Sequence, residues 1–248
     1  MASRLAEILR LKHPPLAIVL AEEKPDGALQ FKGGNRGCVA AMLLAATRGR
    51  TVAFARATFG CPGGGVGLGF GDTYAGTPVD RLLSTGGRAE LPGGRTWDMG
   101  AGERFFGSPE TARRWMHSLP FREIPAAYVL ARPLDETTGG DTPALVWLLA
   151  NPDQISALVT QIGFRRGSID NVVAPWCAAC QSILFAYAEC AREQPRAVLG
   201  FFDISQRHSI DRDLFSLTIP YGLFLEMEAG AEDSFFQTGT WRKLRERQ

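Results

Sequence analysis

Short, continuously apolar runs separated by helical patterns constrain the fold of this chain more than any other feature. The runs PLAIVLAE (15–22), PALVWLLAN (143–151) and AVLGFFDI (197–204) are shorter than typical helices and carry almost no polar residue. Strands have this composition when both faces of their sheet are covered. The pattern therefore predicts an α/β (or α+β) protein in which a mixed sheet is flanked by helices.

Three helices are predicted from one repeated device, a capping side chain followed by proline. The first residue accepts N–H bonds that the first helical turn leaves unmatched, and proline has no N–H to lose at that position. After the third pair, Gln154 stands where a capping box requires it. The pairs are Thr77-Pro78, Ser108-Pro109 and Asn151-Pro152.

The arrangement of the strands is predicted from the segments between them. The runs that begin at Ala126 and Pro143 are separated by DETTGGDT (135–142), which has the composition of a turn, so we predict an antiparallel hairpin. No low-complexity linker divides the 248 residues, which suits a single domain, 1–248. The order strand, cysteine-led helix, strand occurs twice, which predicts two pseudo-repeated halves, 1–124 and 125–248.

Charge and hydropathy exclude some partners. The net charge is +1, so no strong field attracts nucleic acid or anionic lipid. No apolar run approaches the roughly 18 residues of a membrane span. The N-terminal MASRLAEILRLKHPP carries Glu7 inside its apolar stretch, unlike a signal peptide. We expect a cytoplasmic protein without nucleic-acid or membrane partners, which leaves a small molecule or a redox partner.

Four of the five cysteines are placed where thiol chemistry is favoured. Cys38 stands at a predicted helix start, Cys61 follows a predicted strand, and Cys177 and Cys180 form a C-x-x-C motif predicted to open another helix. A helix N-terminus lowers a thiol pKa, and thiolates bind zinc and iron–sulfur clusters. The four residues are therefore candidate ligands of an Fe–S cluster or a zinc ion. The alternative is that they only fill the core.

The segment PWCAAC also resembles the active-site motif of thioredoxins, in which a tryptophan precedes C-x-x-C at a helix start. Pro220 follows Cys180 by 40 residues, near where a thioredoxin-like fold has its cis-proline. The Gly-Pro pair between the cysteines is missing. A thiol–disulfide redox protein using Cys177 and Cys180 is thus an alternative.

The segment 60–71 contains seven glycines in twelve residues and is predicted to be a loop. Backbone N–H groups of such a loop could hold a phosphate or a cofactor. The segment matches neither G-x-G-x-x-G nor a P-loop. Gly63, Gly64, Gly65 and Gly67 are therefore candidate contacts of a small molecule, with a purely structural connection as the alternative.

Six short segments, taken in order, resemble one protein family. They are LKHPPLAI (11–18), Gly37-Cys38, CPGG with LGF (61–70), ARPL (131–134), NPDQI (151–155) and IPY (219–221). In this succession they resemble the domain-of-unknown-function family 169. The resemblance implies a free-standing prokaryotic protein with cysteines near the positions of Cys38, Cys61 and Cys180. The family has no settled activity, so the resemblance assigns no catalytic role to any residue. It also implies a further cysteine after the last strand, where this chain reads DISQRHS, so Cys177 would have to replace it.

Overall fold

The computed structural model describes residues 2–33 and 37–247, which form nine strands, ten α-helices and two 3₁₀ turns (Leu134–Glu136 and Phe235–Gln237). No helix among them is long and apolar enough to cross a membrane. The strands are β1 (Leu16–Ala21), β2 (Val52–Ala55), β3 (Arg88–Leu91), β4 (Arg95–Asp98), β5 (Tyr128–Pro133), β6 (Pro143–Ala150), β7 (Val172–Val173), β8 (Ala197–Gly200) and β9 (Phe215–Pro220). The helices are α1 (Arg4–Leu9), α2 (Val39–Ala46), α3 (Pro62–Leu68), α4 (Val79–Leu82), α5 (Pro109–His117), α6 (Pro152–Gly163), α7 (Ser182–Glu189), α8 (Ile204–Arg207), α9 (Tyr221–Gly230) and α10 (Gly239–Arg245).

Seven strands form one mixed sheet in the order β2-β5-β1-β6-β9-β8-β7, and β3 pairs with β4 in a separate hairpin. Neighbours in the large sheet are antiparallel except β7 and β8, which are parallel. Helices cover the sheet on both sides. The predicted α/β architecture with a mixed sheet and flanking helices is confirmed.

Burial of both sheet faces explains why the strands are unbroken apolar runs. Successive strand residues point to opposite faces. Leu16 and Ile18 therefore pack with α2, α3 and α7, whereas Ala17 and Val19 pack with α1, α6, α9 and α10. Trp147, at the centre of the sheet, is fully buried on the first of these faces.

The predicted hairpin between the runs at Ala126 and Pro143 is wrong. Both strands exist, as β5 and β6, but β1 lies between them and pairs with each. Ile18 is opposite Ala131 on one side and opposite Leu145 on the other. The turn composition between the two runs is a local signal, whereas the competing strand β1 comes from the distant N-terminal region.

Helices begin at all three predicted pairs, and two of the three predicted capping side chains are confirmed. Ser108 caps α5, and Asn151 caps α6 within a complete capping box. At the third pair a helix does begin, since α4 starts at Val79, but the predicted cap is wrong because its N-cap residue is Pro78 and no side chain caps it. The hydroxyl of Thr77 instead donates a hydrogen bond to the carbonyl of Tyr74 (2.6 Å).

The strand order bears on the predicted pseudo-repeat. Outward from the central antiparallel pair β1–β6, one side continues to β5 and β2, and the other continues to β9 and β8. Along the chain, α2 lies between β1 and β2, and α7 lies between β6 and β8; both helices cover the same face of the sheet. A two-fold axis between β1 and β6 would give this order, and it would assign β5 to the first half. The repeat itself stays a prediction.

Candidate functional site

A cavity of about 420 Å³ lies between the starts of α2, α3 and α8 and the turn that precedes α7. Three cysteines from three separate segments line it: Cys38, Cys61 and Cys180. Apolar side chains from α4 and from the β3–β4 hairpin complete much of its wall. The polar groups are few, which is typical of a small-molecule or cofactor site.

Helix starts position the first two thiols. Cys38 is the N-cap residue of α2, and its Sγ donates to Oε1 of Gln206 at 3.4 Å. Cys61 is the N-cap residue of α3, where Pro62 occupies the first turn. The Sγ of Cys61 accepts a hydrogen bond from the Gly64 N–H at 3.3 Å. The Cys61 sulfur therefore lies beside a backbone N–H that favours negative charge, whereas Cys38 makes no side-chain cap hydrogen bond.

Cys180 is the most deeply buried of the three thiols. It lies in the turn before α7, and its Sγ donates to the carbonyl oxygen of Gly63 at 3.6 Å. Burial raises its pKa well above the ordinary value, and Cys61 and Cys38 raise it further. Burial also raises the pKa of Cys61, an effect that the Gly64 N–H opposes. The thiols of Cys61 and Cys180 thus resist ionisation in the absence of a nearby cation.

The remaining charges on the wall are negative. Asp203 and Glu103 line the cavity, and none of its described lining residues is a lysine, arginine or histidine. Asp203 is buried, and its carboxylate caps α8 by accepting hydrogen bonds from the N–H and hydroxyl of Ser205 (3.0 and 2.7 Å). It also accepts from the Ala179 N–H at 3.3 Å, so it joins α8 to the turn that carries Cys180.

A buried tyrosine adds a proton donor to the wall. The hydroxyl oxygen of Tyr74 accepts a hydrogen bond from Nε2 of Gln181 at 2.7 Å. The other end of that amide is fixed, because Oε1 of Gln181 accepts from the Ala178 N–H at 3.0 Å. Burial raises the pKa of Tyr74, so the phenol keeps its proton. Since its oxygen is the acceptor towards Gln181, the hydroxyl hydrogen remains available to another acceptor.

Cys177 does not join the other cysteines. It is absent from the described residues that line the cavity, and it is 1% exposed. The prediction that it opens a helix is wrong, since α7 begins at Ser182. Burial, and secondarily the charge of Asp203, raise its pKa to about 12. The thiol–disulfide alternative needs a thiol with a lowered pKa in C-x-x-C. Burial instead raises the pKa of both Cys177 and Cys180.

The glycine-rich segment is not a loop along most of its length: residues 62–68 form α3. Of the four candidate glycines, Gly63 lines the cavity. The other three face protein atoms, because a Cβ would come within 2.6 Å of Val39 Cγ2 at Gly64, 2.5 Å of Thr73 Oγ1 at Gly65 and 2.8 Å of the Cys180 oxygen at Gly67. Their small size permits close packing, and ligand contact by all four stays a prediction.

Sequence reasoning missed the hairpin that covers part of the cavity. Leu91 of β3 and Trp97 of β4 line the cavity together with Phe105. The turn of the hairpin contains Gly93 and Gly94, which both have positive φ. Paired glycines between short runs are a signal of a hairpin and could have revealed it. Asp203 was missed as well, although aspartate is one of the preferred N-cap residues.

The thiols are not arranged around a metal ion as they stand. Within residues 2–33 and 37–247, no group of three or more His, Cys, Asp or Glu side chains is placed to hold one. All five cysteines are free. Of the four predicted ligands, Cys38, Cys61 and Cys180 share the cavity, and Cys177 lies outside it.

Comparison with known protein families gives a match over most of the chain. The family model of DUF169, described as uncharacterised ArCR, matches residues 4–230. The chain belongs to DUF169. The resemblance inferred from six short segments is thereby confirmed. No curated protein and no solved structure matches this DUF169 chain.

Proposed function

We propose that this DUF169 protein binds an iron–sulfur cluster through the thiolates of Cys38, Cys61 and Cys180. The observation that supports the proposal most is convergence: three of the five cysteines, each placed before a different helix, line one cavity. Thiolates are the usual protein ligands of these clusters. The cavity of about 420 Å³ is much larger than a single ion, which leaves room for a cluster and a further small ligand.

Charge balance supports a cationic or metal-containing occupant. Three thiols and the carboxylates of Asp203 and Glu103 line the cavity, with no basic side chain among the described lining residues. Burial, and secondarily the neighbouring thiols, raise the pKa values of Cys61 and Cys180, so thiolates there are unfavourable without a cation. Iron ions would supply the missing positive charge. A bound metal ion makes the thiolate, rather than the protonated thiol, the favoured form.

Three protein thiolates leave one position of a cubic cluster without a cysteine ligand. A substrate or small ligand could therefore bind at that position, beside the apolar side chains of the β3–β4 hairpin. The Tyr74 hydroxyl would donate a hydrogen bond to a group bound in the cavity. Electron transfer or ligand sensing is the role that fits these groups.

Metal analysis of anaerobically purified protein tests the proposal. We expect iron and acid-labile sulfide in stoichiometric amounts and a brown colour, either as isolated or after reconstitution with iron and sulfide. Zinc bound in place of iron, retained after iron and sulfide are offered, would contradict the cluster. Protein that stays colourless and free of both metals would contradict any cysteine-ligated site.

A second candidate is a small apolar molecule with a positively charged group, bound without metal. The apolar wall formed by Leu82, Leu91, Trp97 and Phe105 favours it, with Asp203 as the partner of the charge. Titration of metal-free protein with benzylammonium, followed by NMR of the Trp97 indole N–H, tests this candidate. Uncharged benzyl alcohol serves as the control. Equal responses to the two probes, or no response, would exclude recognition of a cation.

A further inference from the structure

A second cavity, of about 670 Å³, lies at the other end of α7 from Cys180. It opens where β1 ends, where β6 begins and where β9 passes into α9. Leu20, Pro143 and Pro220 give it an apolar wall. Tyr187, in the last turn of α7, and Cys190, directly after the helix, also line it.

Tyr187 carries an unsatisfied hydroxyl. The residue is 6% exposed, and its phenol oxygen has no hydrogen-bond partner among the described residues. Burial raises its pKa, so the group is a neutral hydrogen-bond donor. A buried hydroxyl without a partner is unfavourable, and such groups are rare unless a ligand or water satisfies them.

The uncompensated charge of this cavity is positive. Glu123 and Glu226 line it, but Glu123 pairs with Arg56 (2.6 Å) and Glu226 pairs with Arg166 (2.9 Å). Arg122 also lines it, and within the described part of the chain its guanidinium has no carboxylate partner. A bound anion would meet this cation without displacing an existing pair.

The start of α9 adds further donors. Tyr221, Gly222 and Leu223, its first residues, line the cavity. The N-cap residue is Pro220, which provides no side-chain acceptor, and the first turn has no acidic residue. The first N–H groups of this ten-residue helix therefore lack the usual cap, and a helix N-terminus attracts anions.

We propose that this cavity binds a small carboxylate with an apolar body. The carboxylate pairs with Arg122 and accepts hydrogen bonds from the Tyr187 hydroxyl and the first N–H groups of α9, and the proline-rich wall covers the apolar body. The site does not depend on the cysteine cavity and needs no metal.

NMR titration of ¹⁵N-labelled protein with benzoate tests the proposal. We expect saturable shifts at Gly222 and Leu223, and an increase in Kd of about tenfold in Arg122→Gln and in Tyr187→Phe. Arg212→Gln, an exposed arginine outside this cavity, should bind as the unchanged protein does. Benzamide, which has the same shape without the charge, should bind at least about tenfold more weakly.

Melting temperatures show whether a variant binds less because it has lost a ligand contact or because it no longer folds. Because Tyr187→Phe removes an unpartnered hydroxyl, the variant should melt at the same temperature or higher without ligand, and it should gain less from benzoate. Equal affinity for benzoate and benzamide would overturn the proposal. So would saturable shifts confined to other regions, no saturable binding of benzoate or hexanoate, or a preference for inorganic phosphate over both.

Discussion

Gly67 lies so close to Cys180 that a Cβ atom on Gly67 would come within 2.8 Å of the Cys180 carbonyl oxygen. Only glycine allows this approach of α3 to the turn before α7. The contact holds the last turn of α3 against the turn with Cys180, and the carbonyl of Gly63, near the start of α3, accepts from the Cys180 thiol. The glycine-rich sequence is thus required mainly by packing, and this packing builds the wall of the cysteine cavity.

Gly67→Ala should destabilise the protein, because the added methyl group meets backbone rather than a movable side-chain end. Overpacking of this kind costs about 1–3 kcal/mol. Urea unfolding of metal-free protein measures the change in free energy. Gly139→Ala is the control, since its Cβ would meet nothing within 4 Å, and it should change stability little. Equal stability of the two variants would contradict the close approach.

Asp203→Ala should lower the free energy of unfolding by about 1–2 kcal/mol, because α8 loses its cap. Asp203→Asn should lose less, since the amide oxygen can still accept from Ser205. Asp213→Ala removes an exposed carboxylate that pairs only loosely with Arg212 (3.6 Å) and serves as the control. A loss in the control as large as that in Asp203→Ala would show that capping is not the cause.

Much of the sheet was predictable from sequence because burial on both faces leaves unbroken apolar runs, as in β1 and β6. The pairing was not predictable, because β1 competes for the edges of both β5 and β6 over a long sequence separation. Helix α3 was missed because four glycines oppose helix formation on intrinsic grounds, and only contacts such as Gly67 with Cys180 make it favourable.

The candidate site was predictable only where local sequence determines the position of a residue. Local sequence placed Cys38 at a helix start, as the structure has it, whereas the helix that Cys61 caps was not predicted. The C-x-x-C spacing suggested that Cys177 and Cys180 act together, but the turn before α7 sends Cys180 to the cavity and leaves Cys177 in the core. Asp203 and Tyr74 join the wall only through tertiary contacts, which no local pattern records.

Alkaline pH should destabilise the metal-free protein partly through Cys177, whose folded-state pKa is raised to about 12 by burial. An unfolded thiol titrates near pH 8.5, so the unfolded chain loses this proton first. The stabilising effect is therefore complete below about pH 8.5 and declines as pH rises towards the folded pKa. Urea unfolding between about pH 7 and 10 should show a shallower decline in Cys177→Ala. An unchanged slope in that variant would contradict burial of the thiol.

The order of alkylation should follow exposure. In native metal-free protein at neutral pH, Cys190 should react before Cys177, because Cys190 is exposed whereas Cys177 is buried and has a strongly raised pKa. Mass spectrometry after timed iodoacetamide quenching measures both sites in one sample, with urea-unfolded protein as the control in which both react. Faster labelling of Cys177 would restore the reactive C-x-x-C interpretation.

The cluster content of single Cys→Ser variants, reconstituted anaerobically under identical conditions, tests the central claim most directly. Cys38→Ser, Cys61→Ser and Cys180→Ser should lose most of the iron and labile sulfide, because each removes a thiol from the same cavity. Cys177→Ser and Cys190→Ser should retain the content of the unchanged protein, provided that circular dichroism shows them folded. Equal retention in all five variants, or loss in Cys177→Ser with retention in Cys38→Ser, would contradict ligation by Cys38, Cys61 and Cys180.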